Sequence, residues 1–271
     1  MAAEGRYSRN ELLFGAVGQK LIGEANVGVV GLGGLGSHIG QQLAYLGVLD
    51  YVLVDADEVT ESSLNRLIGA SVDEVGTKKV AVAARLIQTV QPEARIVPVE
   101  ALLPAEEAFE ALADRSYVFG CLDEDPPRQQ LTDFTTQRGI TYIDTASDVF
   151  PEGEYGGRIV TAKGHGCLFC LGEIDQEELR RAGMSPDQRR ADDEIYGVSR
   201  DALAEAGPSV VSLNGVVASL AVDEFMVDVT GMGEPVRFIN YRADQRTVGR
   251  RAAEPEPRCP YCSRWPTSES A

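Results

Sequence analysis

Six residues, Gly31-Leu-Gly33-Gly34-Leu-Gly36, constrain this chain more than any other stretch. They follow a short apolar run, 26–30, and lead into apolar residues at helical spacing over 35–46, where Gly47 ends the helix. A G-x-G-x-x-G turn between a buried strand and a helix lets backbone N–H groups approach a phosphate, and the helix N-terminus adds partial positive charge. Residues 51–54 read as the next strand. Asp55 stands at its C-terminal end, placed to accept hydrogen bonds from a ribose hydroxyl. Glycines in this pattern also serve tight strand–helix packing, but strand, helix and acid in register point to a nucleotide site.

Downstream, the pattern keeps alternating. Helices are predicted over 78–90, 105–113 and 127–137, and strands over 95–99, 117–121 and 141–143. Such alternation predicts an α/β, Rossmann-like, doubly wound and mostly parallel sheet. After Thr145 the texture changes. Residues 155–161 and 235–248 read as antiparallel edge strands continuing that sheet. Between them, 172–207 is polar, with helical character only over 176–182, and a loop of that length inside a domain is expected to be a functional lid or disordered. Residues 210–227 predict a helix rich in small residues, suited to close packing. Arg6 to Arg9 precede the first strand and are expected on an arm outside the core.

Composition narrows the function classes. A net charge of −17 over 271 residues argues against general affinity for phosphate backbones or anionic membranes, so nucleic acid is an unlikely partner. The N-terminus lacks the basic-then-apolar order of a signal peptide. The apolar stretch 210–222 is too short to span a bilayer and carries Ser212, Asn214 and Ser219. A cytoplasmic address is therefore expected, and there five cysteines imply metal, catalysis or core packing rather than disulfides.

Four of the five are arranged as Cys167-x-x-Cys170 and Cys259-x-x-Cys262. Each turn points two thiolates at one ion, and two turns complete a tetrahedral all-thiolate Zn²⁺ site. Four sulfurs leave no open position, so this zinc is expected to be structural, tying the C-terminal segment back onto the second half. A redox pair or buried thiols are the competing readings. Cys121 is left over and is expected to pack in the core.

The residues after Asp55 decide which nucleotide binds. A dehydrogenase needs a substrate base, yet His38 lies within the first helix and His165 in a Gly-His-Gly turn, and there are no other histidines. Instead, Ser62-Ser63-Leu64-Asn65-Arg66 comes after the acidic strand end, Gly76-Thr77-Lys78-Lys79 opens a helix, and Cys121-Leu122-Asp123 ends a third strand. Attack of a carboxylate on the α-phosphate brings two anions together and expels pyrophosphate. A site for it needs fixed cations and a carboxylate-bound metal ion.

These residues, together with Arg6-Tyr-x-Arg9 and Asp55-x-Asp57, resemble the ThiF/MoeB/HesA family, the bacterial relatives of ubiquitin-activating enzymes, from about residue 6 to residue 262. The resemblance implies a single domain over 1–271. Residues 1–145 would hold the N-terminal arm and the ATP-binding half. Residues 146–271 would hold the carboxylate substrate, with a crossover loop over 171–207 and the zinc site. It implies ATP, Mg²⁺ and Zn²⁺ as cofactors and an adenylyltransferase acting on the C-terminus of a small ubiquitin-like or sulfur-carrier protein. The implied nucleotide contacts are Gly31, Gly33, Gly34, Gly36, Asp55, Asp57, Ser63, Asn65, Arg66, Lys79 and Asp123. Among them Asp55 would bind the ribose, Arg66 and Lys79 the phosphates, and Asp123 the Mg²⁺. Arg9 would reach the phosphates of the other subunit of a homodimer. Ser63 departs from the family's usual Asn-x-Asn-Arg, which keeps open a non-catalytic nucleotide-binding scaffold beside the enzyme. The same chemistry on a peptide or a tRNA base is also open. Leu203 stands where ubiquitin-activating relatives carry a crossover-loop cysteine, and 171–207 contains no cysteine at all. The resemblance therefore points to the branch that forms no thioester of its own.

Overall fold

Strand side chains alternate between two buried layers, and this decides the architecture. In β1 (Asn26–Val30), Val27 and Val29 enter one apolar cluster while Val30 enters another. In β2 (Asp50–Val54), Tyr51 and Leu53 face the first and Val52 and Val54 the second. A strand buried on both faces reads as a continuous apolar run, and helices must cover each side. The computed structural model describes residues 5–149, 153–164, 166–190, 209–252 and 254–263.

These strands join β3 (Arg95–Val99), β4 (Tyr117–Gly120), β5 (Thr141–Val149), β6 (Tyr155–Ala162), β7 (Phe238–Arg242) and β8 (Thr247–Arg250) in one eight-stranded sheet of order β3-β2-β1-β4-β5-β6-β7-β8. The pairings from β3 through β5 are parallel, and those from β5 through β8 are antiparallel. The expected mostly parallel core with antiparallel edge strands is what the chain forms. β5 is longer than its apolar run, continuing through the polar residues Thr145, Ser147 and Asp148 because β6 pairs with it over that whole length.

Helices α2 (Gly34–Leu46) and α3 (Lys79–Val90) cover one face, with the small-residue helix α7 (Val211–Thr230) packed beside them. On the other face lie α4 (Glu106–Leu112) and α5 (Asp125–Arg138). The sheet order reverses between β1 and β4. A crevice opens there at the strand C-terminal ends, the usual place for a ligand in such folds. Helix α6 (Gln176–Ala182) occupies the only helical stretch predicted in the polar segment, and the Asp175 carboxylate accepts from the backbone N–H of Glu177 and Glu178 at its start.

The N-terminal arm is itself a helix, α1 (Ser8–Glu24), kinked at Gly15. Its second half buries Gly18, Gln19 and Ile22, whereas Leu12, Leu13 and Val17 are exposed. No helix among the described residues is long and apolar enough to cross a membrane. His165 and Leu203 lie outside the described residues.

Candidate active site

A cavity of about 860 Å³ lies at the strand ends on either side of the switch point. Gly31, Gly33, Gly34, Asp55, Asp57, Arg66, Lys79 and Asp123 all line it. Five separate stretches of sequence thus deliver their predicted site residues to one place.

Asp55 follows β2 directly and is buried. Its Oδ2 accepts from the backbone N–H of Leu32 at 2.7 Å and its Oδ1 from that of Asp57 at 2.8 Å. The carboxylate therefore holds the glycine turn and the next loop in register. Burial pushes its pKa up, against the Lys79 charge and the two N–H donors that favour the anion. Lys79 begins α3 and places its Nζ 2.7 Å from Asp57 Oδ2. Arg66 Nη1 donates to Ser62 O at 2.6 Å and to Asn65 Oδ1 at 3.1 Å, which orients the guanidinium group. Asp123 is exposed within the loop after β4.

The other predicted nucleotide contacts do not form the wall. Gly36 sits in the first turn of α2, where a Cβ would come within 1.9 Å of Gly31 O, so it is needed for the helix to approach the strand end. Ser63 is buried, and its hydroxyl closes a 3₁₀ turn by donating to Thr60 O at 2.7 Å and accepting from Thr60 N–H at 2.9 Å. The same turn supplies Ser63 O to the Arg66 N–H, so the hydroxyl acts on the shape of the loop that carries Arg66. Asn65 is exposed and reaches the wall only through its bond to Arg66. Arg9 is exposed near the start of α1 and is not on this cavity.

Sequence reasoning missed the opposite end. Asp148, Arg158 and Glu173 line it, with both Asp148 oxygens 2.7 Å from Arg158 Nη1 and Glu173 Oε2 2.9 Å from Arg158 Nε. Arg128 lies beneath, bonded through Nε and Nη2 to Asp144 at 3.2 and 2.6 Å and through Nη1 to Asp125. Asn214, from α7, lies against Gly34. None of these has a local motif, because Asp144 reaches Arg128, Glu173 reaches Arg158 and Gly34 reaches Asn214 from other elements.

The four predicted zinc ligands come together away from this cavity. Cys167, Cys170, Cys259 and Cys262 place their sulfurs within 4.8 Å of one another, with separations of 3.7, 3.9 and 4.0 Å for three of the pairs. Four sulfurs about 2.3 Å from a tetrahedral Zn²⁺ are roughly 3.8 Å apart, whereas a disulfide brings them to about 2.05 Å. The donor set thus fits a metal ion, and none of these three pairs is at disulfide distance. Phe169 and Tyr261, each the third residue of its Cys-x-x-Cys turn, stack with centroids 3.6 Å apart and clamp the two turns together.

Cys121 is the fifth cysteine. Thr145 Oγ1 approaches its sulfur at 3.5 Å, and burial pushes the thiol up to about 12, outweighing that hydrogen bond, with Asp144 adding to the rise. It packs partly buried against the core while also lining the cavity.

Comparison with known proteins agrees with this geometry. The ThiF family matches residues 7–263. The chain is 30% identical over 261 residues to the SAMP-activating enzyme E1 of Haloferax volcanii, covering 95% of this chain and 88% of that one. It is 30% identical over 233 residues to the molybdopterin-synthase adenylyltransferase of Escherichia coli, covering 85% and 84%. Among solved structures, E. coli MccB superposes with a TM-score of 0.78 at 18% identity, over 97% of this chain and 75% of that one, a likeness of fold. The chain belongs to the ThiF family and shares the enzyme class of these relatives, that of an adenylyltransferase.

Proposed function

We propose that this chain uses ATP to adenylate the C-terminal carboxylate of a small ubiquitin-like or sulfur-carrier protein. The observation that carries the reading is the convergence of the glycine turn, Asp55, Arg66, Lys79 and Asp123 on one cavity, whose other end is lined by 146–149 and 172–175. ATP would lie across the switch point with its ribose toward Asp55 and its phosphates between the start of α2, Arg66 and Lys79. A substrate tail entering past Asp148 would bring its carboxylate to the α-phosphorus. The carboxylate oxygen bonds to that phosphorus as the bond to the bridging oxygen breaks, and pyrophosphate leaves with the electron pair. The acyl-adenylate remains.

Each charge has a task in that step. Arg66 is held by Ser62 and Asn65, so it faces the phosphates without reorganising, and fixed charge of this kind is the largest contribution in many active sites. Asp57 holds Lys79 over the cavity. Asp123 offers an exposed carboxylate to Mg²⁺, which binds through one or two carboxylates together with substrate phosphates and supplies charge neutralisation there. The four-cysteine centre would hold Zn²⁺ as a closed structural site, and no step of the reaction passes through it.

The names of the relatives support the substrate class. One is a SAMP-activating E1, and another, from Thermus thermophilus, is a sulfur carrier protein adenylyltransferase 29% identical over 273 residues. A homodimer belongs to the same reading, with Arg9 reaching the partner's phosphates. The exposed Leu12, Leu13 and Val17 on α1, 87%, 64% and 74% exposed, leave apolar surface on both sides of the kink to cover.

ATP–pyrophosphate exchange, with each small ubiquitin-like or sulfur-carrier protein of the source organism offered in turn, tests the proposal. One of them should support exchange. Lys79→Ala and Asp123→Ala should each lower its rate by on the order of 10³-fold or more. Exchange at the wild-type rate in both variants would refute the assignment, and nucleotide binding without exchange for any acceptor would favour a scaffold.

A further inference from the structure

Asn214 has no role assigned by the family resemblance, and the fold does not use it fully. It stands in the first turn of α7, is 1% exposed and lines the cavity. Its Nδ2 donates to Ser209 Oγ at 3.0 Å, while its Oδ1 accepts from no described residue. The amide nitrogen carries a second hydrogen beyond the one given to Ser209, and a buried donor of this kind calls for an acceptor.

Its position shows what the amide faces. A Cβ on Gly34 would come within 2.1 Å of Asn214 Nδ2 and 3.4 Å of Arg66 Cδ. The amide, the arginine stem and the first residue of α2 therefore meet at one point. Neither α2 nor α7 has a side-chain cap, so the N–H groups that begin both helices are left for other acceptors. The N-terminus of α2, a guanidinium group and an amide make an anion site.

We propose that Asn214 is a nucleotide-contacting residue. Its second Nδ2–H, the one not directed at Ser209, donates to a phosphoryl oxygen of a nucleoside polyphosphate held at the start of α2 beside Arg66. Ser209 fixes the amide in the orientation that allows this. The inference rests on reading the cavity as an ATP site, and it adds a donor from the C-terminal half of the chain to a phosphate site otherwise built from the N-terminal half.

Calorimetric titration of the full chain with Mg·ATP and, separately, with adenosine tests it. Asn214→Asp keeps the shape and can still accept from Ser209, but it loses the donor and turns a negative charge toward the phosphates. Its ATP affinity should fall by roughly 10- to 100-fold, the range for losing a hydrogen bond to a charged group, with adenosine affinity within about twofold of wild type. Asn214→Leu should lose about tenfold for ATP with adenosine again unchanged, and it carries the test if the Asp variant does not fold. ATP affinity within twofold of wild type in a folded variant would overturn the contact alone. A wild-type chain that binds no ATP would overturn both the contact and the function on which it rests.

Discussion

Arg128→Leu should cost this protein about 3–5 kcal/mol of stability, and most of that loss should be reversible by a second substitution. Arg128 is 3% exposed and Asp144 wholly buried, so neither charge has water to fall back on. Burial alone would lower the arginine pKa, but the Asp144 charge and its hydrogen bonds outweigh this and hold it above its ordinary value. Once the guanidinium is gone, the Asp144 carboxylate keeps, among the described residues, only the Tyr142 hydroxyl as a side-chain partner, which donates to its Oδ1 at 2.7 Å. A buried carboxylate stripped of its cation accounts for the expected cost, whereas the intact pair contributes much less net stability. Asp144→Asn added to Arg128→Leu removes that stranded charge, keeps an acceptor for Tyr142, and should recover about half the loss or more. Urea unfolding with an unchanged m-value reads the difference, and the single variant's midpoint temperature should fall by on the order of 10 °C. The network also bears on the site. Arg128 holds Asp125 in the first turn of α5, two residues beyond Asp123, and Asp125 in turn bonds to the start of α6 through the Asp175 N–H and to Glu178. A single-variant loss under about 1 kcal/mol, or a double variant no more stable than the single, would refute the buried-charge argument.

Protein purified without chelators should contain about one zinc ion per chain, and stripping it should make Cys167, Cys170, Cys259 and Cys262 titratable while loosening the C-terminal segment. Metal analysis that finds none would remove the zinc site. Cys121, whose thiol is held well above its ordinary range by burial, should resist iodoacetamide in the folded chain and carry no thioester to an acceptor. A reductant-sensitive conjugate that disappears in Cys121→Ser would show otherwise. Arg9→Ala and Asp123→Ala, each nearly inactive alone, should recover roughly a quarter of wild-type exchange when their subunits are mixed, because about half the dimers are mixed and each has one complete site. No recovery despite proven subunit exchange, or a strictly monomeric chain, would show that Arg9 does not act across an interface.

The features legible in the sequence were those that depend on short spacing. The glycine turn, the strand-end acid and the two Cys-x-x-Cys turns each contain their own geometry within a few residues, and the structure brings them together as the spacing implied. Helix α1 was not legible because its pattern is inverted and interrupted. Leu12, Leu13 and Val17 point outward, Gln19 is buried, and Gly15 breaks the helical backbone at φ 74°. The far half of β5 was not legible either, since its ladder to β6 tolerates Thr145, Ser147 and Asp148 in a stretch with no apolar run.

The least legible residues are those whose partners are chosen by topology. Arg128 finds Asp144 because α5 returns beside β5, and Asn214 reaches Gly34 because α7 packs on α2 across the same face of the sheet. Spacing cannot encode such a meeting, but a steric requirement leaves a trace of it. Gly34 lies under an amide from far along the chain, and any side chain there would displace it. Gly34 is also the first residue of α2, where an anion would bind. One glycine therefore satisfies two demands, backbone access for a phosphate and space for Asn214. The two can be separated by experiment. Gly34→Ala should clash with the amide even with the cavity empty, lowering the stability of the unliganded chain. If Asn214→Ala, which makes room for the new methyl group, relieved most of that loss without restoring ATP affinity, the glycine's packing role and the amide's binding role would be distinct. If the second substitution relieved nothing, the contact between Gly34 and Asn214 would not be what requires glycine at this position.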